Sequence, residues 1–173
     1  MKKDRSISII LISFIAFIVA FNLFIQEVIN KSDIVGNKIL HIVNTSFLEI
    51  NQVNLLIIVI SSIVAILTIV IYFIVNKIIL NVLKVKNIDS IKLLITILTS
   101  SLSGPIIALF IIFIGKVDPV STLVTCISAL TLPLFMGYLL ASDFKNKKSL
   151  AIYVFTLLLL AILNIFISIK SIN

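Results

Sequence analysis

The sequence has few charged residues and few of the residues that build catalytic or metal sites. Only 12% of its 173 residues are Asp, Glu, Lys or Arg, whereas 61% are hydrophobic. A soluble domain of this size needs a charged shell, which this composition cannot supply. The single cysteine, Cys126, excludes an internal disulfide and a cysteine-based metal site. The composition therefore predicts an integral membrane protein.

Recognisable catalytic patterns are also missing. His41 is the only histidine, and the four glycines form no phosphate-binding loop. The long apolar runs contain no acidic pair of the kind that proton-coupled carriers place within the membrane. We therefore expect no enzymatic activity, no cofactor and no metal. The net charge of +7 fits contact with lipid headgroups, and we expect no nucleic-acid partner.

Five charge-free runs are long enough to cross a bilayer. A hydrocarbon core of roughly 30 Å needs about 20 helical residues. The segment at 27–49 is interrupted by charges, and its uncharged part is too short to span. We therefore predict an all-α helical bundle that forms one integral membrane domain, residues 1–173. Its predicted spans are 6–26, 52–76, 93–115, 119–142 and 149–169.

Basic residues alternate between the two ends of these spans. Ten Lys and Arg residues precede span 1 or lie in the links after spans 2 and 4, and four lie in the remaining segments. The positive-inside rule then places the N-terminus in the cytoplasm and the C-terminus outside. The preference for Ile, Lys and Asn indicates a low-GC bacterium. We therefore expect a multi-pass protein of a bacterial plasma membrane.

The segment between spans 1 and 2 carries an apolar stripe. From residue 38 onward, apolar residues recur at helical spacing, and polar residues fall mostly off that stripe. The pattern predicts an extracytoplasmic helix that lies in the interface plane. Such a helix is either a simple lid or a docking surface for a partner or a membrane-active peptide. The residues assigned to this candidate surface are Ile39, His41, Ile42, Val43, Phe47 and Glu49.

Spans 3 and 4 each hold a proline among hydroxyl residues. Pro105 follows "TSSLSG" and Pro133 follows "SALTL". Each proline deprives the carbonyl four residues earlier, that of Ser101 or Ala129, of its amide donor. We expect nearby hydroxyls to bond these carbonyls in two kinked helices at the centre of the bundle. Alternatively, the kinks open a polar cleft for a ligand or a partner helix. The residues assigned to the kinks and their packing are Ser101, Ser103, Pro105, Thr131 and Pro133.

Two asparagines lie within the first and fifth spans. The carboxamides of Asn22 and Asn164 would be costly if they faced lipid. We expect both to face inward and to bond across helices, with each other as one possible pairing.

The five-span pattern and the two proline-centred spans resemble the Yip family, whose members are Ypt-interacting-protein-like membrane proteins. The similar segments read "VKNIDSIKLLITILTSSLSGPIIALFI" and "STLVTCISALTLPLFMGYLL", within roughly residues 50–169. Glycines that often occur in the family's cytoplasmic link are missing here. The resemblance implies a cytoplasmic N-terminus, an external C-terminus and a non-enzymatic protein that works by association. Eukaryotic members of the family bind small GTPases, and some bacterial members are encoded beside ABC exporters that protect against membrane-active peptides.

These observations predict a non-enzymatic accessory membrane protein. It would be a partner subunit of an ABC-type exporter or an immunity factor against membrane-active peptides. The expected partners are membrane lipids, an ABC permease and its ATPase, and such a peptide. The alternative is the substrate-binding membrane component of a small-molecule transporter, which requires a polar pocket. A third hypothesis, a small intramembrane enzyme, conflicts with the missing acids and histidines.

Overall fold

The chain is a bundle of long helices in a computed structural model that describes residues 2–32, 36–37, 39, 41, 45, 49–85 and 87–172. Within those residues, five helices are long and apolar enough to cross a membrane. This confirms the prediction of an all-α chain with five helices of spanning length. The helices are α1 (Lys2–Lys31), α2 (Ile50–Val82), α3 (Ser90–Gly115), α4 (Thr122–Leu140) and α5 (Lys147–Ile172), with a 3-10 turn at Ala141–Asp143 after α4.

The helix ends differ from the predicted span limits where local hydrogen bonds decide them. Helix α2 continues past residue 76 to Val82, so Lys77 lies on the helix. Helix α4 begins three residues later than predicted, because Ser121 caps it by accepting from the Val124 N–H at 3.4 Å. At the start of α3, Asp89 accepts from the Lys92 N–H at 2.6 Å. Hydropathy thus locates the spans, and the capping side chains fix where the helices begin.

Helix α3 is the central element of the bundle. It packs extensively against α1 and α4, while α4 also packs against α5 and α2 rests on α1 and α3. The tightest packing lies near the start of α3, the end of α4 and the start of α5, which meet at one end of the bundle. The large side chains that are almost fully buried there are Ile97, Leu98, Met136, Leu140 and Tyr153.

Helices α2 and α5 are joined at that closely packed end by a buried polar contact. The Tyr153 hydroxyl donates to Oδ1 of Asn76 at 2.6 Å. Nδ2 of Asn76 donates in turn to the backbone oxygen of Tyr72 at 2.8 Å. Both Tyr153 and Asn76 are fully buried. Each polar atom of the pair is thus bonded where neither water nor lipid could satisfy it.

The Tyr153→Phe variant tests this contact. Removing the hydroxyl leaves the buried Oδ1 of Asn76 without a donor, so we expect a loss of about 1–3 kcal/mol in unfolding free energy. Unfolding by SDS titration in mixed micelles would measure the loss. The matched control is Tyr138→Phe, because Tyr138 is 81% exposed. Equal stability of the two variants would contradict a stabilising role for the contact.

Candidate functional site

The backbones of α3 and α4 approach closely at Gly104. A Cβ atom added at Gly104 would lie 3.1 Å from the Ser128 carbonyl oxygen and 3.7 Å from Oγ1 of Thr131. Small residues allow such close helix packing in membranes, where dispersion contacts replace the hydrophobic effect as the main attraction. The hydroxyl-rich stretches around the two prolines therefore meet halfway along these helices.

The hydroxyls near the prolines bond carbonyls, but they do not bond the predicted ones. Oγ of Ser103 donates to the Ser100 oxygen at 2.6 Å. Oγ1 of Thr131 donates to the Ser128 oxygen at 2.7 Å. The prediction that they would bond the carbonyls of Ser101 and Ala129 is wrong. A helical Ser or Thr reaches the carbonyl three or four residues earlier, and these two carbonyls lie only two residues before the hydroxyls.

Ser101 and Ala129, whose carbonyls lose a helical donor, line a pair of partly open cavities in the bundle. The larger cavity has a volume of about 380 Å³ and lies between α1, α2, α3 and α4, with Asn164 contributed by α5. It is lined by Phe17, Phe21, Phe24, Ile25, Thr68, Tyr72, Ser101, Gly104, Pro105, Ala108, Thr125, Ser128, Ala129, Leu132 and Asn164. Most of its wall is thus apolar or aromatic.

The smaller cavity, of about 300 Å³, separates α2 from α5 beyond the Asn76–Tyr153 contact. It adjoins the larger cavity, since both are lined by Thr68, Tyr72, Ala129, Leu132 and Asn164. Its other wall residues are Ile71, Val75, Pro133, Leu157, Leu160 and Ala161. Pro105 lines the larger cavity and Pro133 the smaller one. Each proline therefore lies in a cavity wall.

Three polar side chains in these walls have no hydrogen-bond partner among the described residues. Ser101 is only 5% exposed, and its Oγ is a buried atom without a partner. The half-buried Tyr72 and the exposed Asn164 also line the cavities, and neither side chain forms a hydrogen bond to another described residue. By contrast, the hydroxyl of Thr68 donates to the Val64 oxygen at 2.8 Å. The cavities therefore combine an apolar surface with three free polar groups.

None of the described residues that line the two cavities is charged. An ion or a phosphate placed there would lose its hydration without gaining a countercharge, which is unfavourable. The walls are thus suited to an uncharged guest.

The two asparagines of the first and fifth spans have different surroundings. Nδ2 of Asn22 donates to Oγ of Ser62 at 3.0 Å, and Oγ of Ser61 donates to Oδ1 of Asn22. The expected bond across helices is thus present for Asn22, and it joins α1 to α2. The pairing of Asn22 with Asn164 is not formed. Asn164 is exposed rather than turned inward as predicted, and it lines both cavities.

The candidate surface between spans 1 and 2 is described only in part. Ile42, Val43 and Phe47 lie outside the described residues. His41 is exposed and Ile39 is half-buried. Glu49 is the N-cap residue of α2, and its backbone N–H donates to Oε1 of Gln52 at 3.1 Å. Glu49 therefore has a structural role at the start of α2. The interfacial helix stays a prediction.

No family model, curated protein or solved structure matches the chain. The resemblance to the Yip family accordingly stays a prediction from the sequence. Sequence reasoning identified Ser101, Asn164 and the prolines but missed Tyr72 and the phenylalanines of α1. These side chains belong to continuous apolar runs, where no pattern separates a cavity wall from a lipid-facing surface.

Variants of Gly104 test the close contact between α3 and α4. A valine would push against the Ser128 carbonyl, so we expect Gly104→Val to lower the unfolding free energy by about 1–3 kcal/mol. Gly104→Ala should cost less, because the better helix propensity of alanine offsets about 1 kcal/mol. SDS unfolding would rank the variants, with Ala151→Val on an exposed position of α5 as control. An unchanged midpoint for Gly104→Val would show that the two helices do not meet there.

Proposed function

We propose that the chain is a non-enzymatic accessory protein of a bacterial plasma membrane that works by binding a largely apolar guest within the bilayer. The observation that supports this is the partly open pair of cavities halfway along the bundle. Their walls are mostly apolar, yet Ser101, Tyr72 and Asn164 present unpaired polar groups to them. Lipid tails cannot satisfy such groups, so a bound guest would stabilise them.

The first role we propose is that of a partner subunit of an ABC-type exporter or a resistance factor against membrane-active peptides. In either case the guest would be an apolar molecule or peptide segment that enters between α2 and α5. These helices are joined at Asn76 and Tyr153, and the smaller cavity separates them farther along. Such a gap gives lateral access from the bilayer without passage through water.

A second candidate is the substrate-binding membrane component of a small-molecule transporter. It is favoured by the larger cavity, which is bounded by residues of all five helices and exceeds the smaller one in volume. Cavities of roughly 300–1,000 Å³ with a few placed polar groups are typical of small-molecule sites. The two candidates share one site and differ in the partners they require.

The orientation we propose places the N-terminus and the α2–α3 and α4–α5 links in the cytoplasm. Single cysteines introduced as Lys145→Cys and Asp118→Cys, with Cys126→Ala as background, test it in intact cells. Because a membrane-impermeant maleimide reaches only the outer surface, we expect it to label the Asp118→Cys protein at once. The Lys145→Cys protein should be labelled only after permeabilisation. The reverse pattern would overturn the orientation.

Pull-down in mild detergent, followed by mass spectrometry, tests the partners. We expect an ABC permease and its ATPase to co-purify with the wild-type chain. The Phe47→Asp variant should lose them or lose peptide resistance, because a carboxylate on the apolar stripe opposes docking. Asn44→Asp places a similar charge off the stripe and serves as the control. A bound metabolite without an ATPase would favour the transporter component instead, and unchanged behaviour of Phe47→Asp would exclude docking by that residue.

A further inference from the structure

We propose that the two adjoining cavities form one site for an uncharged, lipid-soluble alcohol of isoprenoid size. This inference rests on the proposed function only in that the bundle interior holds a guest, and it requires no partner protein. Three features of the walls support it: the arrangement of free donors and acceptors, the absence of charge on the described wall residues, and the volume.

The polar groups of the site suit a hydroxyl, which both donates and accepts. The donors are the Ser101 and Tyr72 hydroxyls and the amide hydrogens of Asn164. Ser101 and Ala129 line the cavities, and the N–H groups that would bond their carbonyls in a regular helix are missing at Pro105 and Pro133. Among the described residues no side chain donates to these two carbonyls. An alcohol could therefore give its proton to a carbonyl and accept one from a side chain.

The aromatic part of the wall suits the remainder of such a molecule. Phe17, Phe21 and Phe24 from α1 line the larger cavity. Phe17 and Phe21 pack with their ring centroids 5.9 Å apart. A branched, unsaturated chain can contact these rings over a broad apolar surface. The combined space of about 380 and 300 Å³ lies within the usual range for small-molecule sites.

The uncharged walls also disfavour binding of charged derivatives of that alcohol. A phosphate or carboxylate halfway along the bundle would need a Lys, Arg or metal partner. The cationic side chains that are described near cavities, such as Lys84 and Lys145, lie at the end of the bundle rather than in this site. The site should therefore discriminate by charge within a series that shares one chain.

Farnesol supplies such a series. We would reconstitute the full chain alone in nanodiscs, label it with a diazirine analogue of farnesol, and map the cross-linked residues by mass spectrometry. Labelling should concentrate on α1, α2 and α5 residues that line the cavities. Unlabelled farnesol should suppress this labelling. The hydrocarbon farnesene should compete about three- to tenfold less well, because it lacks one hydrogen bond. Farnesyl phosphate should not compete.

Two kinds of variant make the site assignment sharper. Tyr72→Phe and Ser101→Ala remove one hydroxyl each and should weaken farnesol competition about three- to tenfold, with little effect against farnesene. Ala129→Phe places a ring in the wall shared by both cavities and should abolish labelling there. Its control is Leu134→Phe on the same helix, since Leu134 is 55% exposed and lines neither cavity. If Ala129→Phe does not fold, the two hydroxyl deletions still test the site.

Several results would overturn the inference. These are equal competition by farnesol and farnesene, competition by farnesyl phosphate, and labelling spread over the outward faces of the helices. Unchanged affinity in both hydroxyl deletions would also overturn it. Because the experiment uses the purified chain alone, failure here leaves the exporter proposal intact. Conversely, a pull-down without an ATPase would leave the alcohol site standing.

Discussion

Polar groups between lipid-facing helices must find partners inside the protein, because lipid tails offer none. Most of those described here do so. The Tyr153 hydroxyl bonds Asn76, Asn22 bonds two serines of α2, and the hydroxyls of Thr68, Thr99 and Thr156 each bond the carbonyl four residues earlier. Among the described residues, Oγ of Ser100 is also buried without a partner, but Ser101, Tyr72 and Asn164 share a position at the cavity walls. Their convergence on one space is the reason to treat that space as a binding site.

The closeness of helix packing differs along the length of the bundle. At one end, α3, α4 and α5 enclose buried residues such as Ile97, Met136 and Tyr153. An ion pair between Lys92 and Asp143 links the start of α3 to the turn after α4 at the same end. Farther along, the smaller cavity separates α2 from α5. One end of the bundle is thus closely packed, and its middle is less closely filled.

The sequence determines the number of spans because charge-free length is a property of each segment alone. It does not determine which side chains meet, because that depends on how each helix is rotated against its neighbours. Asn22 illustrates the difference, since its need for a partner was predictable and its choice of Ser61 and Ser62 was not. The failure of the hydroxyls to reach the carbonyls freed by the prolines was predictable in principle. Ser103 and Thr131 each precede a proline by two residues, so neither can reach the carbonyl that its proline frees.

The lack of a side-chain donor to the Ser101 and Ala129 carbonyls is explained by helix packing. A hydroxyl three residues after Ser101 could bond its carbonyl, but that position is Gly104, where a Cβ would meet the Ser128 oxygen at 3.1 Å. In α4 the equivalent position is Leu132, which belongs to the buried core. Replacing a core leucine by a small side chain costs about 2–5 kcal/mol, whereas one hydrogen bond contributes about 0.5–1.5 kcal/mol net. Packing therefore explains why a hydroxyl residue stands at neither position: core filling favours Leu132, and the close approach of α4 favours Gly104.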